Sequence, residues 1–186
     1  MKKCISIIVL GFGLLTAHAQ IDQLAGPRIG LTFLTHGTSA DFINHRESFY
    51  DVAKDEEVFT EDQQIAFISQ YGWQWETRFA DGGEVTGIVE WVALVGGMEK
   101  GFFLPSASSL VGLRSEHGYE FAAGPNISIS GIGMVITAGY NLTFGNLNVP
   151  VNLAFVPGKS GAWWDNNDYT GARISLMIGF NINKEN

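Results

Sequence analysis

Within residues 35–48, THGTSADFINHRES, the chain gathers His36, Ser39, Asp41, His45, Glu47 and Ser48. Serine, histidine and carboxylate are the types from which acyl transfer and hydrolysis are built: an imidazole takes the hydroxyl proton and an acid orients the imidazole. No nucleophile motif frames them here, and polar loops accumulate the same types without using them, so we assign no catalytic residue and expect no cofactor. Further on, Asp55, Glu56 and Glu57 are the densest part of an acidic run, Asp41 to Asp62, whose only Lys and Arg are Lys54 and Arg46. Carboxylate oxygens at that density suit calcium or magnesium, which makes these three the candidate metal contacts. A loop kept extended and wet by its own repulsion is the plainer expectation. The stretch AWWDNNDYTG, residues 162–171, lacks the carboxylate spacing and closing Glu of an EF-hand.

A second polar set is spread along the chain instead of clustered. Arg28, Gln70, Gln74, Glu76, Arg78, Glu90, Arg114, Glu120, Asn126, Asn141 and Arg173 each stand at alternate positions inside otherwise apolar runs. If those runs are strands, the set shares one face, and in a confined interior its charges must pair. We therefore expect an internal network of ion pairs and hydrogen bonds, with Arg28, Gln74, Glu76, Arg78, Glu90, Arg114, Glu120 and Arg173 as its members.

The elements that would position these groups are legible as alternation. In ISQYGWQWETRF, Tyr71, Trp73, Trp75, Thr77 and Phe79 take every second place, so a strand presents almost all the aromatic area on one side. Seven other runs repeat the pattern: GPRIGLTFLT, EVTGIVEWVALV, ASSLVGLRS, YEFAAGPNIS, GMVITAGYNLTF, VPVNLAFVP and TGARISLMIGFNI. Eight strands are predicted, each close to or above the roughly 9 to 11 residues that a tilted membrane strand needs. Connections after strands two, four and six are tight, at Asp81-Gly82-Gly83, at Glu116-His117-Gly118 and near Gly145. Those after strands one, three and seven are long, spanning 37–63, 96–106 and 158–169, and the one near Gly131 is intermediate. A three-residue hairpin loop at Asp81-Gly82-Gly83 would set Ala80 opposite Glu84, and Trp73 opposite Trp91.

The chain opens MKKCISIIVLGFGLLTAHAQ, with two lysines, a short apolar run and Ala17-His18-Ala19, the layout of a cleaved signal peptide over residues 1–19. Residues 20–186 then form one domain. The only cysteine, Cys4, lies before the apolar run, so neither a lipid anchor nor a disulfide is expected. A formal net charge of -8, more negative once Lys2 and Lys3 are gone, argues against nucleic acid as a partner.

Alternation alone does not say which face is wet. Lys54, Lys100, Lys159 and Lys184 are the lysines after residue 19, and all lie in proposed connections or in the tail. A soluble sheet coats its outer face with Lys and Glu, whereas this polar face is mostly Gly, Ser, Thr, Asn and Gln, which suits a narrow lumen. Tyr71, Trp73, Trp75, Trp91, Tyr140, Phe144 and Phe155 would then be lipid-facing aromatics. The GPRIGLTF, GPNISISG and GARISLMIGFN segments, with the signal ending AHAQ, resemble the small eight-stranded outer-membrane β-barrel proteins of Gram-negative bacteria, the group of the OmpA and OmpX barrels. That resemblance covers residues 20–186 and implies an all-β, antiparallel up-and-down barrel with short periplasmic turns and longer outer loops. It also implies a monomer in the bacterial outer membrane, surrounded by lipid and lipopolysaccharide, with divalent cations at the first outer loop. A structural or surface-binding role follows; the competing readings are a lipid-modifying enzyme and a soluble lipocalin-like carrier.

Overall fold

The computed structural model describes residues 23–44, 65–160 and 169–182. The proposed signal peptide, the metal candidates Asp55, Glu56 and Glu57, and His45, Glu47 and Ser48 lie outside these residues. The chain runs β1 (Gln23–Leu34), α1 (Thr38–Asn44), β2 (Ala66–Asp81), β3 (Val85–Gly96), a 3-10 turn (Met98–Lys100), β4 (Leu104–Ser115), β5 (Tyr119–Ser128), β6 (Gly131–Phe144), β7 (Leu147–Val156), β8 (Arg173–Gly179) and β9 (Asn181–Ile182). Each strand pairs antiparallel with its neighbours in sequence, and β8 returns to β1, which closes an eight-stranded barrel. Closure leaves no long open edge. The short β9 keeps the register of β8 along β7: Val151 faces Ile178 and Leu147 faces Ile182. Between them the strand passes Pro27 of β1 and Pro150 of β7, neither of which has an N–H to give, and the ladder lapses at Phe180.

One rim carries the connections 82–84, 116–118 and 145–146; we call it the turn side. The opposite, loop side carries α1, the 3-10 turn and the β7–β8 connection. The β5–β6 connection, expected to be intermediate, is only Ile129-Ser130, as tight as any on the turn side. The first long connection contains α1, where a loop was expected. Ala40 and Ile43 of that helix are buried against Leu34, Ala66 and Ile68, the inward residues at the loop ends of β1 and β2. Phe42 packs on Phe102 with ring centroids 5.1 Å apart. The helix therefore covers the loop-side mouth. Gly37 and Gly171, at φ 149° and 77°, let the chain entering α1 run against 169–172, where Thr35 N–H reaches Ala172 O and Thr38 N–H reaches Tyr169 O, both at 2.9 Å.

The expected pairing of Trp73 with Trp91 is not found. Trp75 faces Trp91, and Trp73 faces Ala93. The cause is the turn: the ladder beside it pairs Asp81 with Thr86 where Ala80 with Glu84 was expected, an offset of three, and a bulge at Phe79, between Arg78 and Ala80, takes one of the three back. The extra residue lays the Phe79 ring over Gly87, where a Cβ would come within 2.7 Å of it. The hairpin loop itself has three residues, Gly82–Glu84, closed by Gly82 N–H to Val85 O at 2.9 Å, with Gly83 at φ 80°. Both tryptophans remain on one face, two residues out of the expected register.

Candidate functional site

The candidate site is the lumen. In every strand the residues of one parity point inward: Leu24, Arg28, Thr32 and Leu34 from β1, Gln70, Gln74 and Glu76 from β2, Ile88 and Glu90 from β3, and Arg114, Glu120 and Asn126 from β4 and β5 are all buried. The reverse parity is exposed: Tyr71, Trp73, Trp75, Trp91, Tyr140, Phe144 and Phe155 all lie on the outside with the aliphatic residues between them.

On the turn side the lumen is filled by charge. Arg114 Nη2 donates to Glu76 Oε2 at 2.6 Å and to Glu120 Oε2 at 2.7 Å, Arg114 Nη1 donates to Glu76 Oε1, and Nε donates again to Glu120 Oε2 at 3.0 Å. Glu76 sits directly opposite Glu90 in the β2–β3 ladder, a like-charge pair that would repel if left alone. The Arg114 fork on Glu76 relieves it from one side. Gln74 relieves it from the other: its amide N–H donates to Glu90 Oε1 while its carbonyl accepts from Arg28 Nε at 2.6 Å. Arg28 Nη1 reaches on to Asn181 Oδ1 at 3.0 Å. Arg28 lies against the backbone of Gly179, where any Cβ would occupy the guanidinium's place. Asn152 Nδ2 donates to Glu120 Oε1 at 3.4 Å and closes the set across β7. Arg78 is half-buried nearer the rim.

Above this plug the lumen widens. A cavity of about 80 Å³ has Arg28, Gln74 and Glu90 on its floor and Arg173 at its top, with Val92, Leu110, Val135 and Met177 on its walls. Arg28 Nη2 and Glu90 Oε2 are buried without a hydrogen-bond partner among the described residues. Both belong to residues that line this cavity, which has room for two or three waters at ~30 Å³ each, enough to bridge them. A second cavity of about 60 Å³ lies between Arg173 and α1. Arg173 Nη2 crosses the lumen to Asn126 Oδ1 at 2.8 Å, and Asn126 Nδ2 donates to Ser108 Oγ at 2.9 Å.

The expected network is thus divided. Arg28, Gln74, Glu76, Glu90, Arg114 and Glu120 come together, while Arg173 stands apart with Asn126. Asn152 and Asn181 join the network without having been singled out, although their inward parity, the signal that marked Asn126 and Asn141, was available for them too. Of the loop residues considered for nucleophilic chemistry, Ser39 and Asp41 lie on α1 with Ser39 buried, and His36 is exposed. Among the described residues no three His, Cys, Asp or Glu side chains are grouped so as to hold a metal ion. On the loop side Glu99 accepts from Ser69 N–H at 2.8 Å and from the Ser69 hydroxyl. Partial burial pushes its carboxyl up, but these two bonds, together with its own backbone N–H and the nearby Lys100 ammonium, hold it below the ordinary glutamate value. Compared with known protein families and with curated proteins, the chain matches none of either.

Proposed function

We propose that the chain is an integral outer-membrane β-barrel protein with a structural or surface-binding role carried by the connections on its loop side. One observation carries the proposal. From β1 to β8 no Asp, Glu, Lys or Arg occupies an outward strand position short of Asp81 at the tip of β2, all the way round a closed barrel. Those positions hold Ile29, Leu31, Trp91 at 57 % exposure, Leu113 at 58 %, Phe121, Met134, Leu153 and Leu176, among others. A contiguous apolar coat of that extent is costly in water and suits acyl chains. Its partners are then membrane lipid and lipopolysaccharide.

The interior supports the same reading by contrast. A lipocalin-like carrier keeps its apolar side chains within and its charges without, and here Glu76 and Glu90 are 1 % exposed while Trp91 is outside. The Glu76–Arg114–Glu120 ion pairs also reach across the lumen on the turn side, which favours a role at the surface over permeation.

Fractionation tests the proposal. The protein should be recovered in the outer-membrane fraction, require detergent for extraction, and migrate faster on an unheated gel than on a heated one. Recovery in a soluble fraction would overturn it.

A further inference from the structure

Arg173 opens β8 and lies where the two loop-side cavities meet; with Thr32, Gln70 and Ser106 it lines both. Arg114, by contrast, is held by two carboxylates. Among the described residues no carboxylate comes within ion-pair distance of Arg173, and Asn126 is its one hydrogen-bond acceptor. Arg173 is half-buried, and drawing a guanidinium partly out of water without a counter-charge carries a cost, while it has further N–H groups to offer. The groups around it are donors too. Ser108 Oγ already accepts from Asn126, which leaves its own proton for another acceptor. Ser39 Oγ of α1 is buried, belongs to the upper cavity and has no partner among the described residues. Among the described residues no Asp or Glu lines the upper cavity, and Glu90 belongs to the far floor of the lower one.

A cation where two half-open cavities meet, with Ser106 lining both, Ser39 the upper and Ser108 the lower, asks for one kind of occupant. We propose that this chamber binds a small oxyanion, a carboxylate or phosphate of few heavy atoms, with Arg173 as its counter-charge and Ser39, Ser106 and Ser108 as donors. Water would satisfy the donors but would not balance the charge. The site is independent of what surrounds the barrel, since it is built wholly from inward residues and α1.

The test uses the chain folded in detergent micelles, following the Arg173 Nε–H and the amides of Ser106, Ser108 and Asn126 by NMR. Inorganic phosphate and sodium acetate are titrated separately, with sodium chloride as the ionic-strength control. A saturable shift is expected with phosphate or acetate. Arg173→Met should weaken it about tenfold or more, since a hydrogen bond to a charged group is worth ~1.5–3 kcal/mol. If Arg173→Met does not fold, Ser39→Val combined with Ser106→Val carries the test, with a loss of about threefold or more expected. No saturable shift up to about 50 mM, the same shift with chloride, or unchanged binding in whichever variant is used overturns the proposal. Binding seen only after Asp55→Asn, Glu56→Gln and Glu57→Gln together would also overturn it, by showing that the chain's own acidic segment fills the chamber.

Discussion

The turn-side and loop-side halves of the lumen are built from the same eight strands but surround an inward arginine differently, buried on the turn side and half-buried on the loop side. On the turn side Arg114 is forked onto Glu76 and shared with Glu120, and Arg28 reaches Glu90 through Gln74. Three carboxylates surround two guanidinia there. On the loop side Arg173 meets one amide oxygen, serines and a cavity. A filled, mutually compensating network is a plug; a lone cation beside open space is a place where something can be held. The strands are alike, so the difference lies in which inward positions carry acids: Glu76, Glu90 and Glu120 all fall toward the turn ends, and none falls near Arg173.

The largest expected effect breaks the plug. Arg114→Met strips the counter-charge from Glu76 and Glu120 with Glu90 adjacent, and removing one partner of a buried ion pair costs ~3–5 kcal/mol. Arg173→Met removes a charge that lacks a described carboxylate partner and should change stability by less than ~1 kcal/mol. Urea midpoints in detergent measure both, and equal losses would erase the distinction between the halves.

The division should hold on the inside only. Trp73→Arg places a guanidinium on the apolar coat, which in a membrane costs ~2–4 kcal/mol near the midplane. Gln74→Arg at the next residue points into the plug, where Glu76 and Glu90 take it up. Trp73→Arg is therefore expected to reduce heat-modifiable, membrane-inserted protein far more than Gln74→Arg; the reverse order would contradict the assignment of faces to lipid and lumen.

A subtler comparison uses glycines. A methyl at Gly179 would occupy the Arg28 guanidinium's place, so Gly179→Ala should cost ~1–3 kcal/mol by overpacking. At Gly133, on the loop-side half, a Cβ would sit 3.5 Å from Val156 Cγ1, an ordinary contact, and Gly133→Ala should stay within ~0.5 kcal/mol. A cost at Gly133 as large as that at Gly179 would mean the loop-side half is packed as tightly as the plug.

Much of this was legible in the sequence, for reasons that can be located. A period of two needs only residue types, so the strands, their faces and the inward polar set were readable from runs such as QYGWQWETRF. Register was not, because Asp81-Gly82-Gly83-Glu84 admits more than one turn placement, and the bulge that corrects it by one depends on the Phe79 ring finding Gly87 across the hairpin, a contact eight residues away that no local pattern announces. The helix α1 hid for a similar reason: TSADFIN is short and weakly periodic, and it is held by Leu34, Ala66 and Ile68 more than by its own propensity. The split of the network was also out of reach, since which carboxylate meets which arginine depends on the stagger of strands around a closed barrel.

The smallest expected effect concerns how the loop-side half is fastened. Glu99, in the 3-10 turn between β3 and β4, grips Ser69 at the loop end of β2 through both the amide and the hydroxyl, and the same connection carries Phe102, which packs on Phe42 of α1. These bonds favour the charged carboxylate, so its affinity for a proton is lower in the folded protein than in the unfolded chain. The stabilisation is therefore fully present above the unfolded value and is lost as pH falls through the lowered, folded one. Because Glu99 is largely exposed, the loss should be confined to this connection and leave the barrel intact. Followed by NMR, the Ser69 amide should titrate with a midpoint below ~4.3, the ordinary glutamate value, and its hydrogen exchange should quicken across the same range while the Glu76 and Glu90 amides stay protected. Glu99→Gln should abolish the titration. A Ser69 midpoint at or above the ordinary value, or one that persists in Glu99→Gln, would show that this contact does not fasten the connection, leaving α1 held over the chamber by its apolar packing and by bonds such as Thr38 N–H to Tyr169 O.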